Sequence, residues 1–174
     1  MRVFIKDFWP STVYMGEKTD YLIIGQLDNG MIVEIFDSEN FAPEIKGNTI
    51  IDCLILVFYP HFNEIDFTKS HERDHPIITG RFIGEYVISD DWVKCITALK
   101  NRQKRYTVDR TSEGDVLIKK KYTIPKEPVI YPAVQTVNGI MLMYFNKKPK
   151  DLNVGDIITF SEGRLDLLAW RSFE

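Results

Sequence analysis

Residues 26–36 read QLDNGMIVEIF, and residues 135–145 read QTVNGIMLMYF. In each, Gln stands three residues before Asn-Gly, and an apolar run ending in Phe follows. Asn-Gly between two apolar runs is the strongest short signal for a β-hairpin, because both central positions of a type I′ turn need φ > 0. Each stretch then leads through a polar loop to a Gly step, Ile45-Lys46-Gly47-Asn48-Thr49-Ile50 in one and Asn153-Val154-Gly155-Asp156-Ile157-Ile158 in the other. The interval is 17 residues from Gly30 to Gly47 and 16 from Gly139 to Gly155, a difference that one loop residue absorbs. The pattern predicts an internal duplication. The competing explanation is that strand, turn, strand and glycine recur in any β protein.

The text around these stretches is also strand-like. Candidate strands are 2–5, 21–27, 31–36, 49–59, 77–88, 115–124, 129–137, 140–145, 156–160 and 164–170, rich in β-branched and aromatic residues and separated by Gly, Pro, Asn and Asp. Only 90–101 reads as a helix. Ser89 stands at its N-cap, Asp90 and Asp91 suit its positive end, and Trp92, Val93, Ile96 and Leu99 share a face. The predicted fold is mainly β, with two small OB-like or SH3-like barrel halves and this one short helix. The expected segments are an acidic first half over 1–88, a helix and basic hairpin over 89–126, and a second β half over 127–174, packed with the first as one unit.

The net charge of −3 hides an asymmetry. Residues 1–90 carry 7 Lys and Arg against 15 Asp and Glu, whereas 91–174 carry 15 against 10. Such halves either attract one another or face different partners. No apolar run approaches bilayer-spanning length, so no membrane partner is expected. The start, MRVFIKDFWP, lacks the apolar region and cleavage site of a signal peptide. Cys53 and Cys95 lie in apolar strand-like text and read as reduced, buried thiols, which fits the cytoplasm.

His71-Glu72-Arg73-Asp74-His75 spells the H-E-x-x-H of zinc hydrolases. That chemistry needs a helix through both histidines, and Pro76 disfavours helical backbone at His75. A looser zinc site built from His61, His71 and His75 with nearby carboxylates is the weaker alternative to a solvated acidic loop. There is no nucleophile elbow, phosphate loop or paired-cysteine motif. Non-enzymatic binding is therefore the expected activity. The first candidate is a protein partner, met in the manner of an immunity or adaptor protein by Tyr59, Phe62, Glu64, Asp66, Glu72 and Asp74. The second is single-stranded nucleic acid, met by Lys100, Arg102, Lys104, Arg105, Tyr106, Lys119, Lys120, Lys121 and Tyr122, in which cations neutralise phosphates and rings stack on bases.

Overall fold

The computed structural model describes residues 1–14, 17–60, 77–103, 106–111, 114–119, 121–145, 149–161 and 163–173, with backbone alone at 14, 17, 106–111 and 114–119. The chain is mostly strand, with one α-helix. Strands β1 (Arg2–Tyr14), β2 (Glu17–Leu27), β3 (Ile32–Asp37) and β4 (Thr49–Phe58) come first, with a 3-10 turn at Ala42–Glu44 before β4. Then follow β5 (Ile77–Val87), α1 (Asp90–Arg102), β6 (Tyr106–Thr111), β7 (Gly114–Lys119), β8 (Ile130–Thr136), β9 (Gly139–Tyr144), β10 (Ile157–Ser161) and β11 (Arg164–Ser172).

Five strands close a barrel in the order β1-β2-β3-β11-β4, with β4 returning to pair with β1. Every pairing is antiparallel except β3 with β11. Counting only barrel strands, the order is first, second, third, fifth, fourth. This is the Greek-key order of an OB-like barrel rather than an SH3-like one. Alternation along each strand fills the interior: Val3, Ile5, Ile23, Val33, Ile35, Ile55, Val57, Leu165 and Leu167 are all buried.

Four further strands repeat this order without closing among the described residues, and β6 and β7 form a separate two-stranded sheet. β9-β8-β5-β10 matches β3-β2-β1-β4 strand for strand, with antiparallel pairing throughout. The β5–β8 register matches that of β1–β2. Gln26 faces Phe4 as Gln135 faces Arg81, and each first strand bulges two residues later, at Lys6 and at Ile83. Asn48 donates its N–H to Ile5 O, and Gly155 donates its N–H to Phe82 O, each at 2.8–2.9 Å and each with positive φ. The register therefore aligns Asn48 with Gly155, one residue from the alignment that the glycines alone suggest.

β4 joins the two units. It pairs parallel with β9, just as β11 pairs parallel with β3. Cys53, Leu54, Ile55, Leu56 and Val57 are buried without a break: one face of β4 lines the barrel, the other is covered as well, and its edge pairs with β9 of the second unit over Leu56, Val57 and Phe58. A strand covered on both faces reads as an unbroken apolar run, and IIDCLILVFY is one.

Three local expectations are revised. Both Asn-Gly hairpins form, but not through type I′ turns: Gly30 and Gly139 have φ of 87° and 119°, while Asn29 and Asn138 keep negative φ. Gly30 N–H bonds Leu27 O and Leu27 N–H bonds Met31 O, the signature of a type I turn closed by a glycine bulge. Secondly, β1 continues past Ile5 to Tyr14. Bulges near Lys6 and Ser11 and the edge position of Pro10 let the polar and proline-bearing text remain in strand. Thirdly, Ser89 holds the extended N-cap geometry of α1, yet its side chain makes no capping bond.

Candidate functional site

The most distinctive surface feature lies where β4 ends. Tyr59 follows Phe58 with φ of 50°, a conformation an aromatic residue rarely adopts, and the residue is 53% exposed. Two contacts fix it there. Tyr59 N–H donates to Tyr144 O at 3.2 Å. Gly163 passes so close that a Cβ would lie 2.5 Å from Phe58 O and 2.6 Å from Tyr59 O. Only glycine permits that approach.

Three rings cluster at this corner. Phe58 and Tyr144 face each other in the β4–β9 register with centroids 5.1 Å apart, and Tyr59 stands edge-on to both at 5.9 and 5.8 Å. Arg164 completes it. Its guanidinium lies 4.8 Å from the Phe36 centroid and 4.9 Å from that of Phe58, a cation between two π faces. Asp166 holds the guanidinium in a two-pronged bond, with Nη2 to Oδ2 at 2.9 Å. Burial pushes the Asp166 carboxyl up, and the arginine's bond and charge partly offset this. Trp9, Leu22, Phe36 and Asp166 form one transverse row through the strand registers, so the apolar strip crosses the barrel to Trp9, itself 43% exposed. Asp7 and Glu34 border that strip and are exposed.

Of the residues expected to meet a protein, Tyr59 is at this corner. Phe62, Glu64, Asp66, Glu72 and Asp74 lie outside the described residues, as do His61, His71 and His75 of the zinc alternative. Among the described residues no group of three or more His, Cys, Asp or Glu side chains could hold a metal. Burial pushes the Cys53 thiol up to about 12, and Cys95 is also raised by burial while its Sγ points to Trp170 O at 3.3 Å. Both are poor thiolates at neutral pH.

Lys100, Arg102 and Tyr122 of the basic segment are engaged internally. Lys100 pairs with Glu39 at 3.3 Å and sits 5.4 Å over the Tyr122 ring. Arg102 bonds Glu44 at 3.1 Å, and Gln103 reaches the other oxygen of the same carboxylate at 3.1 Å. Asn101 clamps the Tyr122 backbone at both N–H and C=O. Part of the charge asymmetry thus joins α1 to the loop before β4. Lys121 is exposed; Tyr106 and Lys119 face each other across the β6–β7 hairpin; Lys104, Arg105 and Lys120 lie outside the described residues. Beneath α1, a cleft of about 240 Å³ is lined mainly by apolar side chains, including Val93, Ile96, Val129 and Leu168, with Lys100 and Glu39 also in its wall.

The sequence singled out Tyr59 as a candidate but not Phe36, Tyr144 or Arg164, which the structure places beside it. These come from three other strands, and only the barrel closure and the β4–β9 pairing bring them together. Gly163 beside Arg164 was the one local hint of a close backbone approach. No helix is long and apolar enough to cross a membrane among the described residues. No family model matches this chain, and neither does any curated protein or solved structure.

Proposed function

We propose that this chain is a non-enzymatic binding protein that engages a protein partner through the aromatic corner at the end of β4. The observation that carries the reading is Tyr59, half exposed and held at positive φ by Gly163 and Tyr144. Unusual backbone fixed by its surroundings, bearing a rigid aromatic side chain toward solvent, is what an interface anchor requires. The expected partner is basic. Asp7 and Glu34 border the aromatic strip, and Glu64, Asp66, Glu72 and Asp74 follow Tyr59 in the chain. The internal pairing of Lys100 and Arg102 counts against the nucleic-acid alternative, since those cations already have carboxylate partners.

Pull-down from native lysate after cross-linking, with each bound protein quantified, tests the reading. One protein should be captured by the wild type, and at least ~10-fold less of it by Tyr59→Ala, the loss expected of a buried aromatic anchor. Asp66→Lys should weaken the same capture, and Lys100→Ala should leave it intact. Capture indifferent to Tyr59→Ala, together with salt-sensitive binding of a single-stranded oligonucleotide, would replace this function with the nucleic-acid one.

A further inference from the structure

The two units differ in how their fourth strand is flanked, and this difference bears on a second interaction surface. In the barrel, β4 has β1 on one side and β11, antiparallel, on the other. Its counterpart β10 has β5 on one side, and no described strand on the other. Asp156 O accepts from Phe82 N–H, which fixes the parity of the ladder. The N–H and C=O groups of residues 158 and 160 therefore point to β5, and those of Ile157, Thr159 and Ser161 point to the side on which no described strand lies.

Edges of this kind are ordinarily blunted by lysine, proline or a bulge. The stretch of β1 beyond its pairing with β4 carries all three kinds of protection, with Lys6, Pro10 and three irregularities in register. β10 reads Ile-Ile-Thr-Phe-Ser, with no charge, no proline and an unbroken register. Ile157 is 64% exposed on its outer face.

We infer that β10 is the seat of a weak, two-fold symmetric association between copies of this chain, formed by antiparallel pairing of β10 with β10. The barrel supplies the precedent for the hand of the added strand, because β11 fills the matching place antiparallel. The sequence suits its own copy. With the axis at Thr159, Ile157 faces Ser161 of the second copy and Ile158 faces its Phe160, so no charges meet and apolar side chains continue the inner face. A two-fold axis makes such an edge self-complementary, with about six backbone hydrogen bonds at the seam. A five-residue seam buries less than a stable dimer needs, so association depends on concentration.

Sedimentation equilibrium over a range of concentrations tests this. The wild type should move from monomer mass toward dimer mass as concentration rises. Thr159→Lys places like charges opposite each other on the axis and should raise the dissociation constant at least ~10-fold, and Thr159→Glu should do the same. An equimolar mixture of the two variants should recover dimer, since the facing charges are then opposite. Far-UV circular dichroism and thermal midpoint of each variant separate loss of pairing from loss of folding. A wild type that stays monomeric at its highest soluble concentration, or a mixture that fails to recover dimer when both variants are folded, overturns the inference.

Discussion

Asp37 ends β3 with its carboxyl fully buried, accepting the Ala42 N–H at 2.6 Å and the Glu39 N–H at 3.2 Å. Burial pushes its pKa up to about 6, and the amides hold it back from rising further. The native state thus binds this proton more tightly than the unfolded chain does. Stability from this group is fully present below pH 3.8 and is lost as pH rises through about 6. The loss is about 3 kcal/mol at most, from roughly two pKa steps. Urea unfolding of wild type and Asp37→Asn at several pH values measures it. The variant should lose stability relative to wild type at pH 4, where it forfeits one carboxyl oxygen, and should regain ground by about 2 to 3 kcal/mol toward pH 7. Parallel pH profiles for the two proteins would show that Asp37 does not titrate in this window. Nothing in Ile35-Phe36-Asp37-Ser38 announces a buried acid; the signal is the turn of Ala42 folding back over it, which belongs to tertiary structure.

At the level of strands, most of the architecture was legible because β-branched runs and Asn-Gly turns are local signals. The repeat was legible for the same reason, although its true register was not. Pairing shows what the letters concealed, a reciprocal exchange between the units. Val3 corresponds to Gly80, and Gly25 to Val134. A Cβ on Gly25 would lie 2.4 Å from Val3 Cγ1, and a Cβ on Gly80 would lie 2.4 Å from Val134 Cγ1. Each unit fills the same diagonal with one valine and one glycine, on opposite strands. Gly25→Val alone should overpack the barrel by about 3 kcal/mol or more, and Val3→Gly alone should leave a cavity and a looser strand costing about 2 to 3 kcal/mol. Together they reproduce the arrangement of the second unit. A double-mutant cycle by chemical denaturation should therefore give a favourable coupling of about 1 to 3 kcal/mol. Additive losses would mean that the diagonal is not a packing pair. The corner of Phe36, Arg164, Phe58, Tyr59 and Tyr144 stayed hidden at this scale, since its members are up to 128 residues apart in sequence and meet only through β3–β11 and β4–β9 pairing.

For the molecule as a whole, the sharing of β4 decides how it comes apart. A barrel and a sheet joined by a linker would unfold separately, whereas two units that share one strand in a continuous sheet both lose a wall when that strand is lost. The last barrel strand, β11, also arrives only after the second unit has been traversed, so the barrel is incomplete without the rest of the chain. Further ties cross between them: Arg171 lies 4.4 Å over the Trp92 ring of α1 while bonding Asp52 of β4, and Lys100 and Arg102 pair with the loop before β4. These are partly exposed pairs, each worth up to about 1 kcal/mol, so the shared wall dominates. Leu56 tests it. It is buried at 3% exposure and registers with Leu142 of β9, on the face of β4 turned from the barrel interior. Leu56→Ala should cost about 2 to 5 kcal/mol, the usual range for a buried leucine. Far-UV circular dichroism and tryptophan fluorescence should still report one coincident transition, shifted as a whole. Hydrogen exchange should rise alike in β2 and β3 of the barrel and in β5 and β8 of the second unit, although Leu56 lies on the face turned from the barrel interior. Faster exchange confined to β5, β8 and β9 would mean that the second unit opens independently, and that β4 is a surface on which it docks rather than a wall held in common.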